Sequence, residues 1–120
     1  MSVYRRMEPD ERPEWSDVTS AGSAQLRPGQ TFDPHYHDCD EYWLVYGGRA
    51  LVSVGDERYI VGPGDIVCTN TGLVHDILAI DAVLEMFWFE GALVPDGRAG
   101  HLHRTPGEAA GHPIRTLPPG

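Results

Sequence analysis

Gly29-Gln30-Thr31-Phe32-Asp33-Pro34-His35-Tyr36-His37-Asp38-Cys39-Asp40-Glu41-Tyr42-Trp43-Leu44-Val45-Tyr46-Gly47-Gly48 is the stretch whose reading decides the fold. Its second half, from Glu41 to Tyr46, is rich in aromatic and β-branched side chains and stops at a glycine pair, the composition of a bounded strand. Ahead of it, His35 and His37 stand two positions apart. In an extended chain alternate side chains share a face, so both imidazoles point at one place. Glu41 and Trp43 return to that face if Asp38-Cys39-Asp40 keeps the parity.

Working outward, the same grammar repeats. Arg27-Pro28-Gly29 is a turn on the N-terminal side. On the other side, Arg49–Val54 alternates, Gly55-Asp56 turns the chain into Arg58–Val61, and Gly62-Pro63-Gly64-Asp65 leads to Ile66–Thr69. Asn70-Thr71-Gly72 separates that strand from Val74–Ile80, and Ala82–Phe89 closes the series. Short apolar runs between turn signals, with no 3.6-residue period, predict an all-β domain without a long helix. We divide the chain into an extended N-terminal arm at 1–22, a β domain at 23–91 and a Gly/Pro-rich tail at 92–120 that is expected to be weakly structured. Trp15 and Val18 are the expected anchors of the arm.

The 120 residues suffice for one domain. A formal charge of −9 excludes a nucleic-acid partner, whose phosphates require a basic face. All nine cationic side chains are arginine, which excludes a lysine Schiff base. No apolar run approaches the roughly 20 residues of a membrane span. Met1-Ser2-Val3-Tyr4-Arg5-Arg6 lacks the apolar stretch of a signal peptide, and two cysteines are too few for a secreted disulfide framework. A cytoplasmic setting is the expectation.

His75, well down the chain, lies in a strand that antiparallel pairing can bring beside the first histidines. Three imidazoles and one carboxylate suit Mn, Fe, Co, Ni, Cu or Zn rather than Ca or Mg. The spacing Gly29-x5-His35-x-His37-x3-Glu41-x6-Gly48 resembles the first motif of the cupins at every defined position. Gly64-x5-Asn70-x-Gly72-x2-His75-x3-Ala79 resembles their second motif, with Asn70 where proline is usual and Ala79 where asparagine is usual. The resemblance covers about residues 23–90. It implies a single antiparallel β-barrel, the double-stranded β-helix or jelly roll. It also implies one divalent transition metal (Mn, Fe, Ni, Cu or Zn) on His35, His37, Glu41 and His75, with open coordination positions, and a homodimer.

Other residues carry weaker signals. Glu85 interrupts the apolar run Val83–Phe89, and period two sets Glu85, Phe87 and Phe89 against Leu84, Met86 and Trp88. We expect the Glu85 face to line the barrel, where a buried carboxyl can serve as general acid or base; the plainer reading is a solvated residue outside. Trp43, Phe32, Phe87 and Phe89 are the candidate walls of a substrate pocket, or simply barrel core. Cys39 and Cys68 read as free thiols. His101-Leu102-His103 and His112 are either solvated or part of a lid over the barrel mouth. Arg49 and Arg58 are surface cations or holders of an anionic group. These features favour a metalloenzyme acting on a small organic molecule, by oxygenase or cyclase/isomerase chemistry. The alternatives are a small-molecule-binding or sensor module without turnover, and a metal-bearing structural protein.

Overall fold

The computed structural model describes residues 3–5, 8 and 11–119; Met1, Ser2 and Arg6, named above, lie outside the described residues. Eight strands carry the fold: β1 (Ser20–Leu26), β2 (Thr31–Phe32), β3 (Glu41–Gly47), β4 (Ala50–Val54), β5 (Glu57–Val61), β6 (Ile66–Thr69), β7 (His75–Ile80) and β8 (Leu84–Glu90). A short helix α1 (Pro106–Ala110) and two-residue strands β9 (His112–Pro113) and β10 (Arg115–Thr116) follow. Two four-stranded sheets, β1-β8-β3-β6 and β10-β7-β4-β5, form the two walls of the expected jelly roll. β2 and β9 make a third, two-stranded piece.

Alternation builds the core. Trp43 and Val45 of β3, Val52 of β4, Ile77 of β7 and Leu84 and Met86 of β8 meet between the sheets, all less than 4% exposed. Burying each such side chain contributes roughly 1.5–3 kcal/mol. Gly48 shows why the β3–β4 turn needs glycine. Its φ of 79° is left-handed, and a Cβ there would stand 1.9 Å from the Val83 carbonyl oxygen.

Three expectations are corrected. β8 sits between β1 and β3, and the register sets Glu90 opposite Glu41, Trp88 opposite Trp43 and Met86 opposite Val45. Leu84, Met86, Trp88 and Glu90 therefore face inward. Glu85, Phe87 and Phe89 face outward, and Glu85 Oε2 accepts a hydrogen bond from Gln25 Nε2 at 3.1 Å on the exposed side. Both faces of this strand are apolar, so alternation alone did not distinguish inside from outside.

The tail is structured. β10 runs parallel beside β7, β9 pairs with β2, and Leu117 N–H donates to the Ile80 carbonyl. Ile114 and Leu117 are buried. The cause is the open edge of β7, whose unpaired backbone groups recruit a strand. Two buried residues in a polar segment are too sparse for a periodic signal. The arm differs as well: Trp15 is 78% exposed and anchors nothing. Its ties are instead polar, from Tyr4 Oη to the Thr19 carbonyl and from Thr19 Oγ1 to the Gly91 carbonyl.

Candidate metal centre

His35 and His75 exchange backbone hydrogen bonds, 3.2 Å from His35 N to His75 O and 2.8 Å in return, so their side chains rise from one antiparallel pair on the same side. Their Nε2 atoms lie 2.9 Å apart. Glu41, at the start of β3, brings Oε1 to 3.2 Å from His75 Nε2 and 3.3 Å from His37 Nε2. Trp43, two residues on, donates its indole N–H to the same oxygen at 2.9 Å. The four side chains predicted to converge do converge, and each residue is at most 5% exposed.

The outer ring nitrogens explain the orientation. His35 Nδ1 donates to the Asp33 carbonyl and His37 Nδ1 to the Gly100 carbonyl, and carbonyl oxygens only accept. His75 Nδ1 meets Thr69 Oγ1 at 3.0 Å. With the proton on Nδ1, the Nε2 atoms of His35 and His37 turn lone pairs toward the centre, and that of His75 does so when Thr69 accepts from its Nδ1. In that tautomer the His35 and His75 lone pairs face each other at 2.9 Å and a cation between them relieves their repulsion; in the other, His75 Nε2 donates to His35 Nε2. His37 Nε2 is buried without a hydrogen-bond partner among the described residues, for its approach to Glu41 is out of alignment. An orphaned buried polar atom costs about 1–3 kcal/mol, and a metal ion on the shared centre removes that cost. The donor set fits a divalent transition metal.

Charge points the same way at His35 and His75, and the opposite way at His37. Burial pushes His35 down to about 4 and His75 down to about 3, so both are neutral at pH 7 with lone pairs available. Burial also pulls on His37, but the Glu41 carboxylate beside it more than reverses this and raises it. Burial pushes Glu41 up, and His37, His75 and Trp43 together hold it below the ordinary carboxylate range.

Beside the cluster is a cavity of about 170 Å³, walled by Leu26, Phe32, Trp43, Met86 and Trp88 together with Glu90 and His101. Phe32 and Trp43, two of the four candidate pocket walls, line this cavity. Phe87 and Phe89 are excluded by the facing of β8, and Glu85 is excluded with them. Arg49 and Arg58 do not reach this cavity.

The tail supplies a roof: the His101 ring stacks on His35 with centroids 3.6 Å apart and planes 7° from parallel. Asp33 Oδ2 accepts from both His101, at 3.0 Å, and His103, at 2.7 Å. The sequence reading missed Glu90 and Thr69. Glu90 shares the parity of Trp88, so choosing the other face of β8 would have found it. Burial raises Glu90 above the usual carboxylate range, although Cys39 Sγ donates to its Oε2 at 3.3 Å. Cys39 is itself buried, which pushes its thiol up to about 12 and keeps it a donor. Cys68 is exposed.

Residues 22–90 match the cupin domain family, and the chain belongs to that family. Over 85 residues it is 40% identical to the uncharacterised protein y4oW of Sinorhizobium fredii, matching 70% of this chain but spanning only 39% of the relative's length. Among solved structures it is similar to the DMSP lyase DddQ of Ruegeria pomeroyi, with a TM-score of 0.65 and 23% identity, covering 78% of this chain and 47% of that one. It is similar also to an RmlC-like cupin of Methanocaldococcus jannaschii, with a TM-score of 0.58, 18% identity, and 65% and 73% coverage. A predicted oxalate decarboxylase of Thermotoga maritima gives 0.58 at 20% identity, with 64% and 69% coverage. At these identities the likeness speaks to the fold alone.

Proposed function

We propose that the protein holds one divalent transition metal (Mn, Fe, Ni, Cu or Zn) on His35, His37, Glu41 and His75, and acts as a metalloenzyme on a small organic molecule. The observation that carries this reading is the convergence of three buried Nε2 atoms and one carboxylate oxygen beside a half-open, mostly apolar cavity that His35 and Glu41 line. A metal there supplies Lewis acidity toward a substrate oxygen, or oxygen activation if it is redox-active. The chain does the rest. Asp33, Gly100 and Thr69 fix the imidazoles through Nδ1, and Phe32, Trp43 and Met86 exclude water from the reacting end of the substrate. Apolar walls favour oxygenase or cyclase/isomerase chemistry over handling of a polar sugar.

A small-molecule-binding module without turnover is the second reading, favoured by the outward turn of Glu85, which takes the expected proton-transfer group away from the cavity. Turnover of a metabolite panel, with a metal-stripped control, separates the two readings. Elemental analysis tests the site itself, and unchanged metal content in His35→Ala and His75→Ala would refute it.

The partners proposed are a small molecule and a second copy of the chain, in the cytoplasm. No described helix is long and apolar enough to cross a membrane. The outer face of the β1-β8-β3-β6 sheet exposes Phe87, Tyr46 and Ile66 at 50%, 43% and 52%, a contiguous apolar surface of the kind that dimers cover. Sedimentation at micromolar concentration is expected to give a dimer that Phe87→Glu dissociates; a monomeric parent protein would remove the proposal.

A further inference from the structure

We infer that residues 98–104 form a strap over the metal centre whose closure is coupled to the metal, so that a bound cation and the closed strap stabilise each other. The inference rests on the metal reading above and adds to it a moving part that positions two of the ligands. The strap runs beside the stretch from Asp33 to Asp38, which carries His35 and His37. Tyr36 and Leu102 exchange backbone hydrogen bonds of 2.9 and 3.0 Å. Asp38 Oδ2 accepts from Arg98 N at 2.8 Å and from Arg98 Nε at 3.3 Å. Asp33 accepts from His101 and His103, and Arg104 Nη2 donates to the Gly72 carbonyl at 2.7 Å. The Arg104 guanidinium also lies 4.2 Å from the centre of the Tyr36 ring.

These ties are polar, and no apolar packing backs them. None of the described residues 91–113 is buried, whereas the chain is anchored on either side, by β8 before this segment and by the buried Ile114 after it. Exposed polar ties are individually weak, and a segment without buried contacts opens locally while the core stays folded. The strap is therefore a loop with fixed ends and a middle that can lift.

Two contacts join this middle to the ligands. The Gly100 carbonyl accepts from His37 Nδ1 at 3.0 Å, and the His101 ring lies stacked on His35. With the strap lifted, His37 loses its bond to Gly100 and its ring is free to turn. A cation on Nε2 fixes that ring from the inner side and draws electron density from it, which makes the Nδ1 N–H a stronger donor to Gly100. The closed strap in turn keeps both imidazoles aimed at the cation. Coupling between two such events is reciprocal, so the factor by which the cation favours closure is the factor by which closure favours the cation.

Trypsin reads the strap directly. The chain has no lysine, Arg98 and Arg104 place cleavage sites in the strap, and Arg5 in the N-terminal arm is an internal control. Cleavage requires local opening, so its rate tracks the open population when reclosing is fast. The full chain is digested with and without saturating Co(II), and cobalt uptake is measured by dialysis. Cobalt is expected to slow cleavage after Arg98 and Arg104 at least about fivefold relative to cleavage after Arg5. Cobalt held by His101 and His103 themselves would protect the strap without any coupling, and His75→Ala separates the two cases. His75 hydrogen-bonds to no residue of the strap among the described residues, so protection by cobalt is expected to vanish in this variant. Each protein is compared with itself, and partial misfolding of the variant cancels from the ratio. Unchanged cleavage of the parent protein with cobalt bound, or protection that persists in His75→Ala, overturns the inference alone. Failure of the parent protein to take up cobalt overturns the metal reading and the inference with it.

Discussion

Thr69 shows how much at the residue scale rests outside the ligand set. Its hydroxyl lies 3.0 Å from His75 Nδ1, is buried, and steers a ring that has no other outer partner among the described residues. Groups that orient a ligating imidazole typically govern about 10–100-fold in metal affinity. Thr69→Val, which keeps the shape and removes the hydroxyl, should lower affinity within that range, whereas His75→Ala should abolish stoichiometric uptake. Competition against a chelator of known affinity measures both. A Thr69→Val affinity equal to that of the parent protein would show that the ring is held by packing alone. His35, His37 and Glu41 could be read together in the sequence because their parity is local, and His75 because its surroundings resemble the second cupin motif. Thr69 could not, because nothing along the chain says which hydroxyl will lie beyond a ring six residues away.

Single elements make separate predictions. The turn from β3 to β4 closes only because Gly48 is left-handed and its missing side chain leaves room for Val83. Adding a methyl group forces the backbone to move, so Gly48→Ala should cost about 2 kcal/mol or more, measured by urea denaturation. The strand boundaries from β3 to β8 were legible, since glycine and proline clusters punctuate them. The order of the tail was not, and Ile114 is its test. Its side chain is 2% exposed and belongs to the main core cluster. Truncation to alanine should cost about 2–4 kcal/mol and lower the midpoint without a separate tail transition. A change below about 0.5 kcal/mol would mean that the tail adds little to the barrel.

Over the whole molecule, the buried histidines set the response to acid. Unfolded, their imidazoles take up a proton near pH 6.5; folded, His35 does so only near 4 and His75 near 3, because burial opposes the charge. The metal-free protein therefore has their full contribution above pH 6.5 and loses it as the pH falls toward 4. His112, pulled down by burial but raised overall by its bonds to the Pro113 carbonyl and Asp76, works in the opposite direction, as does the raised His37. Theirs is present below pH 6.5 and lost as the pH rises. The two strongly lowered groups outweigh the two raised ones, so the melting temperature of metal-free protein should fall steadily from pH 6.5 to pH 4. His75→Gln, which cannot be protonated, should flatten that slope; thermal melts across the range check it. An equal slope in the variant would assign the acid response elsewhere.

The sequence alone determined the bounds of β3 to β8, that no long helix forms, and that His35, His37 and Glu41 share one face. These are consequences of turn chemistry and of the period-two geometry of an extended chain, both of which act over a few residues. Tertiary structure alone decided which face of β8 is inside, and with it that Glu90 rather than Glu85 meets the cavity, because both faces are apolar and the choice is made by register against β3 and β1. It also decided that the tail docks on β7 and roofs the His/Glu cluster with His101. That outcome follows from an open strand edge elsewhere in the chain, which no local pattern in the tail records.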